Sequence, residues 1–170
     1  EATNWALAIF AGVSQLYEAQ TNASILVDNM VIWNVTDPYN SFTSTSDVLN
    51  ELTNYWVNNN SSINRDLVHL LSKRPLGGGI AWLNALCSNS YGYAVSASLN
   101  NDTTYNFPNP TYTWTLMVCT HEIGHNIGSH HTHWCGWSAD PAFTFSGGSI
   151  DNCVDVEGSC PNNPTPQVGT

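Results

Sequence analysis

Within the 170 residues, the eleven from His121 to His131, His-Glu-Ile-Gly-His-Asn-Ile-Gly-Ser-His-His, constrain the chain most. His121 and His125 are four apart, so a helix projects both imidazoles from one face, one turn above the other, and both reach a single ion. Glu122 lies beside them, one step from His121. From there it points into the same cleft without being a ligand, which suits a general base acting on water activated by the metal. To return a third histidine to the metal the helix must stop and the chain turn sharply. Gly128 supplies the residue that tolerates the left-handed backbone of such a stop. His131 is the ligand that turn delivers, so the expected set is His121, His125 and His131 around Zn2+, with Glu122 catalytic.

Three neutral imidazoles leave the ion its full charge and an open position for water, which zinc acidifies to a pKa of about 7. The chemistry expected is hydrolysis of a peptide bond without a covalent intermediate, Glu122 taking the proton and passing it to the leaving amine. Cys119 stands close by, but a buried helical thiol with no charged partner is inert, so it is not read as a nucleophile. His130 and His133 do not keep the spacing from Gly128 and are assigned supporting or surface roles. His69 lies in an apolar strand and is read as bonded to a backbone carbonyl.

The flanking sequence fits one domain. From Thr3 to Gln20, Trp5, Ile9, Val13 and Leu16 recur at helical spacing. Ser24 to Val35 is rich in β-branched and apolar residues and reads as a strand ending before Asp37-Pro38. Ser46 or Asp47 is expected to cap a second helix carrying Val48, Leu49, Leu52, Tyr55 and Trp56. Strands are expected over Arg65 to Ser72 and Tyr91 to Leu99, and Thr111 or Thr113 as the cap of the motif helix. Pro75-Leu76-Gly77-Gly78-Gly79 reads as a bend. No Lys-Ser/Thr follows it, so close backbone packing explains the glycines better than a phosphate loop. After His131 periodicity disappears.

Three Lys+Arg against 13 Asp+Glu give a formal net charge of −10, which excludes nucleic acid and anionic membranes as natural partners. The five cysteines, Cys87, Cys119, Cys135, Cys153 and Cys160, point to disulfides in the loop-rich tail, with one cysteine left over. Glu1 to Trp5 carry neither a basic start nor an apolar run, and no stretch is long enough to span a bilayer. The expectation is a secreted, monomeric, mature segment.

The eleven-residue motif matches the H-E-x-x-H-x-x-G-x-x-H signature of the metzincins. Leu76 to Trp82, Leu86-Cys87 and Tyr91 to Ser96 resemble the segment preceding the site in the adamalysin/reprolysin branch, especially its bacterial secreted members, so the likeness covers most of residues 60 to 160. The resemblance implies an α/β (α+β zincin-like) fold, with a mixed twisted sheet, an active-site helix and an irregular, disulfide-bearing C-terminal part. It implies one catalytic domain over 1–170, with an upper subdomain over 1–128 and the start of a lower one over 129–170. It also implies that an extended protein or peptide substrate adds as a strand along Tyr91 to Ser98, taken as the sheet edge.

Two departures accompany the likeness. Thr132 follows His131 where many adamalysins have aspartate. The methionines, Met30 and Met117, both precede His131, so the methionine turn expected beneath the zinc is missing, and the chain is expected to be an excised segment. A cysteine beyond Thr170 would then pair with Cys87. Two competing readings remain at this level, a non-catalytic zinc-stabilised module binding through its 7 tryptophans, and a zinc amidase or esterase. Glu122 and the open metal position argue against the first.

Overall fold

In a computed structural model of the chain, residues 1–137, 148–151 and 154–159 are described. Contacts divide the chain into two compact units, Glu1–Gly128 and Ser129–Thr170. The first holds three helices and a small mixed sheet, the α+β arrangement expected of a zincin.

Helix α1, Ala2–Thr21, ends where Asn22 adopts left-handed geometry at φ 56° and donates its N–H to Glu18 O. Helix α2, Thr45–Asn59, is capped two residues before Ser46, the first of the expected caps. Ser44 is the N-cap, its Oγ accepting the Asp47 N–H at 3.1 Å, and Asp47 places a negative charge in the first turn. Three strands follow, β1 (Val68–Leu71), β2 (Gly79–Ala81) and β3 (Tyr93–Ser96), and then helix α3 (Trp114–Ile127). β3 runs parallel to β1 and antiparallel to β2, so the order is β1-β3-β2.

Side chains alternate across β3 and build two apolar layers. On one side Tyr93, Val95 and Ala97 pack with Val48, Leu49, Leu52 and Trp56 of α2. On the other, Leu116, Val118, Cys119 and Ile123 of α3 pack with Ile9 and Val13 of α1. Burying this apolar surface is the main force that holds α3 against the sheet.

Three expectations need correction. Ser24 to Val35 is not a strand. It pairs with none of the described strands, and Leu26 (86 % exposed) and Val35 (77 %) stand in solvent; β-branched composition makes a strand only where a neighbour accepts its backbone. The expected bend is present over 76–78 but stops one residue short, because Gly79 opens β2, a strand too short to show an alternating pattern. Finally, β3 is the central strand and wholly buried, so Tyr91 to Ser98 is not an edge available to a substrate.

No helix among the described residues is long and apolar enough to cross a membrane. Cys87 and Cys119 are free, and Cys135 is disulfide-bonded. Cys153, Cys160 and the end of the chain, Gln167 to Thr170, lie outside the described residues.

Candidate active site

Helix α3 carries the motif because its two ends are fixed locally. At the start Thr113 Oγ1 accepts the Leu116 N–H at 3.1 Å. At the end Gly128, with φ 113°, donates its N–H to the carbonyls of Gly124 and His125. A side chain there would be strained by the backbone angle, and its Cβ would also sit 3.2 Å from Asn84 Oδ1.

On the face this helix presents, Nε2 of His121 and Nε2 of His125 are 3.0 Å apart and the rings meet edge to face. Two imidazole nitrogens turned toward one point form half of a tetrahedral metal site. Glu122, between them in sequence, is only 3 % exposed. Burial raises its carboxyl to about 7, and its Oε2 is enclosed with no hydrogen-bond partner. An orphaned carboxylate beside two converging imidazoles fits a cation: the positive charge would favour the ionised form that burial disfavours.

The room Glu122 occupies is made by β2. A Cβ on Gly79 would fall 2.2 Å from Glu122 Oε1 and 2.6 Å from its Cδ and Cγ. Gly79 does not have a positive φ, so glycine serves space here rather than backbone conformation. This is the close packing that the glycine run suggested.

β2 also supplies an edge. Gly78 O accepts from Ala97 N at 3.0 Å, and Trp82 N donates to Tyr93 O at 3.2 Å. Bonded pairs alternate in an antiparallel ladder, so the N–H and C=O of Gly79 and Ala81 point away from β3. Sequence reasoning missed this strand and also Asn126. The Asn126 amide is fully buried and donates to Trp82 O at 2.9 Å and Tyr93 O at 3.1 Å. Its backbone carbonyl accepts from Ala85 N and Leu86 N. Asn126 thereby ties the end of α3 to the strands beside it.

His131 belongs to the second unit. There its Nδ1 is 2.8 Å from Glu157 Oε2, and its ring stacks on His133 at 4.9 Å. His130 lies flat on Trp134, ring centroids 3.6 Å apart. His69 Nε2 bonds Ser96 Oγ at 2.8 Å rather than a carbonyl, and Nδ1 is enclosed without a partner. Burial raises the Cys119 thiol to about 12, consistent with an inert core residue.

An α+β fold whose helix pairs two converging imidazoles with a buried carboxylate fits a metal-dependent hydrolase. A family model described as metallo-peptidase family M12 matches residues 1–166, and the chain belongs to that family. It is a metzincin-like metallopeptidase, dependent on a metal ion for its activity. No curated protein matches the chain significantly.

Proposed function

We propose that the protein is a zinc-dependent endopeptidase in which Glu122 is the general base. The observation that carries the reading is the placement of Glu122: enclosed, without a hydrogen-bond partner on Oε2, on the helix whose His121 and His125 nitrogens converge to 3.0 Å. His121 and His125 would hold the zinc together with His131, which the motif places three residues beyond the Gly128 stop. When bound, zinc polarises the scissile carbonyl and acidifies water at its open position.

The chain's own groups do the rest. Glu122 accepts the proton as water attacks, and the C–N bond then breaks as the same carboxyl delivers that proton to the leaving amine. The substrate is an extended peptide lying along β2 rather than β3, because Gly79 and Ala81 turn their backbone groups outward next to Glu122. Recognition through main-chain hydrogen bonds favours protein substrates over small amides or esters. A secreted setting is supported by the disulfide at Cys135 and by the scarcity of cationic residues.

The test is digestion of an unstructured protein. A chelator abolishes cleavage and zinc restores it. Glu122→Gln retains zinc while kcat falls by about 10²- to 10⁴-fold, the range for loss of a general base. Unchanged kcat in that variant would refute the assigned role.

A further inference from the structure

The second unit contains an arrangement that the peptidase reading leaves unused. Glu157 Oε2 lies 2.8 Å from His131 Nδ1 and 3.7 Å from His133 Nε2. Its backbone is held at both polar groups by the segment that follows His131: Glu157 N donates to His133 O at 3.0 Å, and Cys135 N donates to Glu157 O at 2.9 Å. A parallel bridge joins Trp134 to Glu157. Next to it Gly158 has φ 93°, and a Cβ there would lie 3.1 Å from Cys135 Sγ, so the chain passes close against the disulfide-bonded Cys135. Twenty-six residues separate His131 from Glu157, yet this small clasp returns the carboxylate to the histidine.

We infer that Glu157 is a positioning residue for the third zinc ligand. This rests on the assignment of His131 as that ligand. A neutral imidazole has one N–H and one lone pair, and a carboxylate can only accept. His131 Nδ1 must therefore carry the hydrogen, which leaves the lone pair on Nε2 for the metal. The bond also limits rotation of the ring, and the negative charge makes the remaining nitrogen a stronger donor. His133 stacks on the His131 ring, centroids 4.9 Å apart and planes 10° apart. Glu157 thus acts through His131 and touches neither zinc nor substrate.

A rival use of the same atoms is a cation site of its own, since donor atoms of His131, His133 and Glu157 all lie within 4.8 Å of one another. The hydrogen bond favours the positioning role, because Nδ1 cannot donate to Glu157 and bind a cation at once.

The experiment uses the full chain, with zinc affinity measured by chelator competition and the His131 tautomer read from side-chain ¹⁵N shifts in the zinc-free protein. Glu157→Ala is expected to weaken zinc binding by about 10- to 100-fold and to lose the single Nδ1–H tautomer. Glu157→Gln keeps the shape and an acceptor without the charge, so it loses less affinity and serves if the alanine variant does not fold. Glu157→Asp recovers part of the loss. His131→Ala loses at least as much as Glu157→Ala, and His133→Ala binds zinc nearly as tightly as the parent. If both Glu157 variants bind zinc like the parent while His131→Ala does not, the positioning role is wrong and the ligand assignment stands. If His131→Ala keeps full affinity, the ligand assignment itself fails. If His133→Ala loses as much as Glu157→Ala, the three residues hold a cation themselves and the inference is overturned.

Discussion

Gly79→Ala tests whether the space beside Glu122 sets the reaction geometry. The added methyl would sit 2.2 Å from Glu122 Oε1, about 1.2 Å short of the closest ordinary contact at 3.4 Å. One partner must yield. Glu122 is packed in the core and β2 is hydrogen-bonded to β3, so either the carboxylate swings away from the imidazole pair or the strand that is to hold the substrate moves off. Both displacements are of the order that costs roughly 10²-fold in rate. The stability cost of overpacking is smaller, about 1–3 kcal/mol. Gly79 has no positive φ, so no strain from the backbone angle confuses the result. The assay is kcat/KM on an internally quenched peptide, with bound zinc and urea denaturation measured on the same preparation. Folded Gly79→Ala with full zinc content and kcat/KM within about 3-fold of the parent would show that Glu122 does not need this space and sink the argument.

Two further outcomes follow from buried polar groups. Asn126→Ala removes the two bonds to Trp82 O and Tyr93 O, and while Tyr93 O keeps the Trp82 N–H, Trp82 O loses its side-chain donor, so denaturation should show a loss of about 1–3 kcal/mol, with zinc affinity also reduced; a loss below about 0.5 kcal/mol would mean that the amide is not the tie between α3 and the sheet. For His69, burial lowers the imidazole to about 4, against about 6.5 when unfolded, so the folded state resists a proton that the unfolded chain takes up. The stabilising effect is complete above pH ~6.5 and shrinks by about 3 kcal/mol as pH falls to 4. Urea denaturation at pH 7.5 and 4.5, compared with His69→Gln, isolates that slope, and an equal slope in the variant would count against it.

How much of this was legible in the sequence depended on the range of each interaction. The pairing of His121 with His125 follows from the helical period alone, and the stop at Gly128 from one residue's backbone freedom, so both could be read without tertiary knowledge. The cap at Thr113 and the core faces of α1 and α2 were readable for the same reason. Strand pairing is not local. The family resemblance implied an edge at Tyr91 to Ser98, and the residues' own pattern gives no hint of neighbours on both sides to correct it, whereas Val68–Leu71 and Gly79–Ala81 flank β3. Ser24 to Val35 had strand composition and no strand to join. Glu157 carried no signal at all, being an ordinary acidic residue in an aperiodic stretch.

The same division runs through the site. A helix bearing His121, Glu122 and His125 brings two metal donors and a carboxylate together by its own periodicity, and a metal alone does not make a peptidase. What the reaction needs in addition is a fixed relation between the base and the scissile bond, and none of the residues that set it belong to the local helical pattern of ligands and base. Gly79 sets it by lacking a side chain, Asn126 by tying the helix end to the strands, and the alternation of β2 by turning Gly79 and Ala81 outward. Gly79 both makes room for the carboxylate and offers its backbone at the open edge, so in the proposed reaction base and substrate would meet at one residue. A shift of β2 relative to α3 would therefore change the spacing between the Glu122 carboxylate and a peptide held on that edge, which is why Gly79→Ala reports on both.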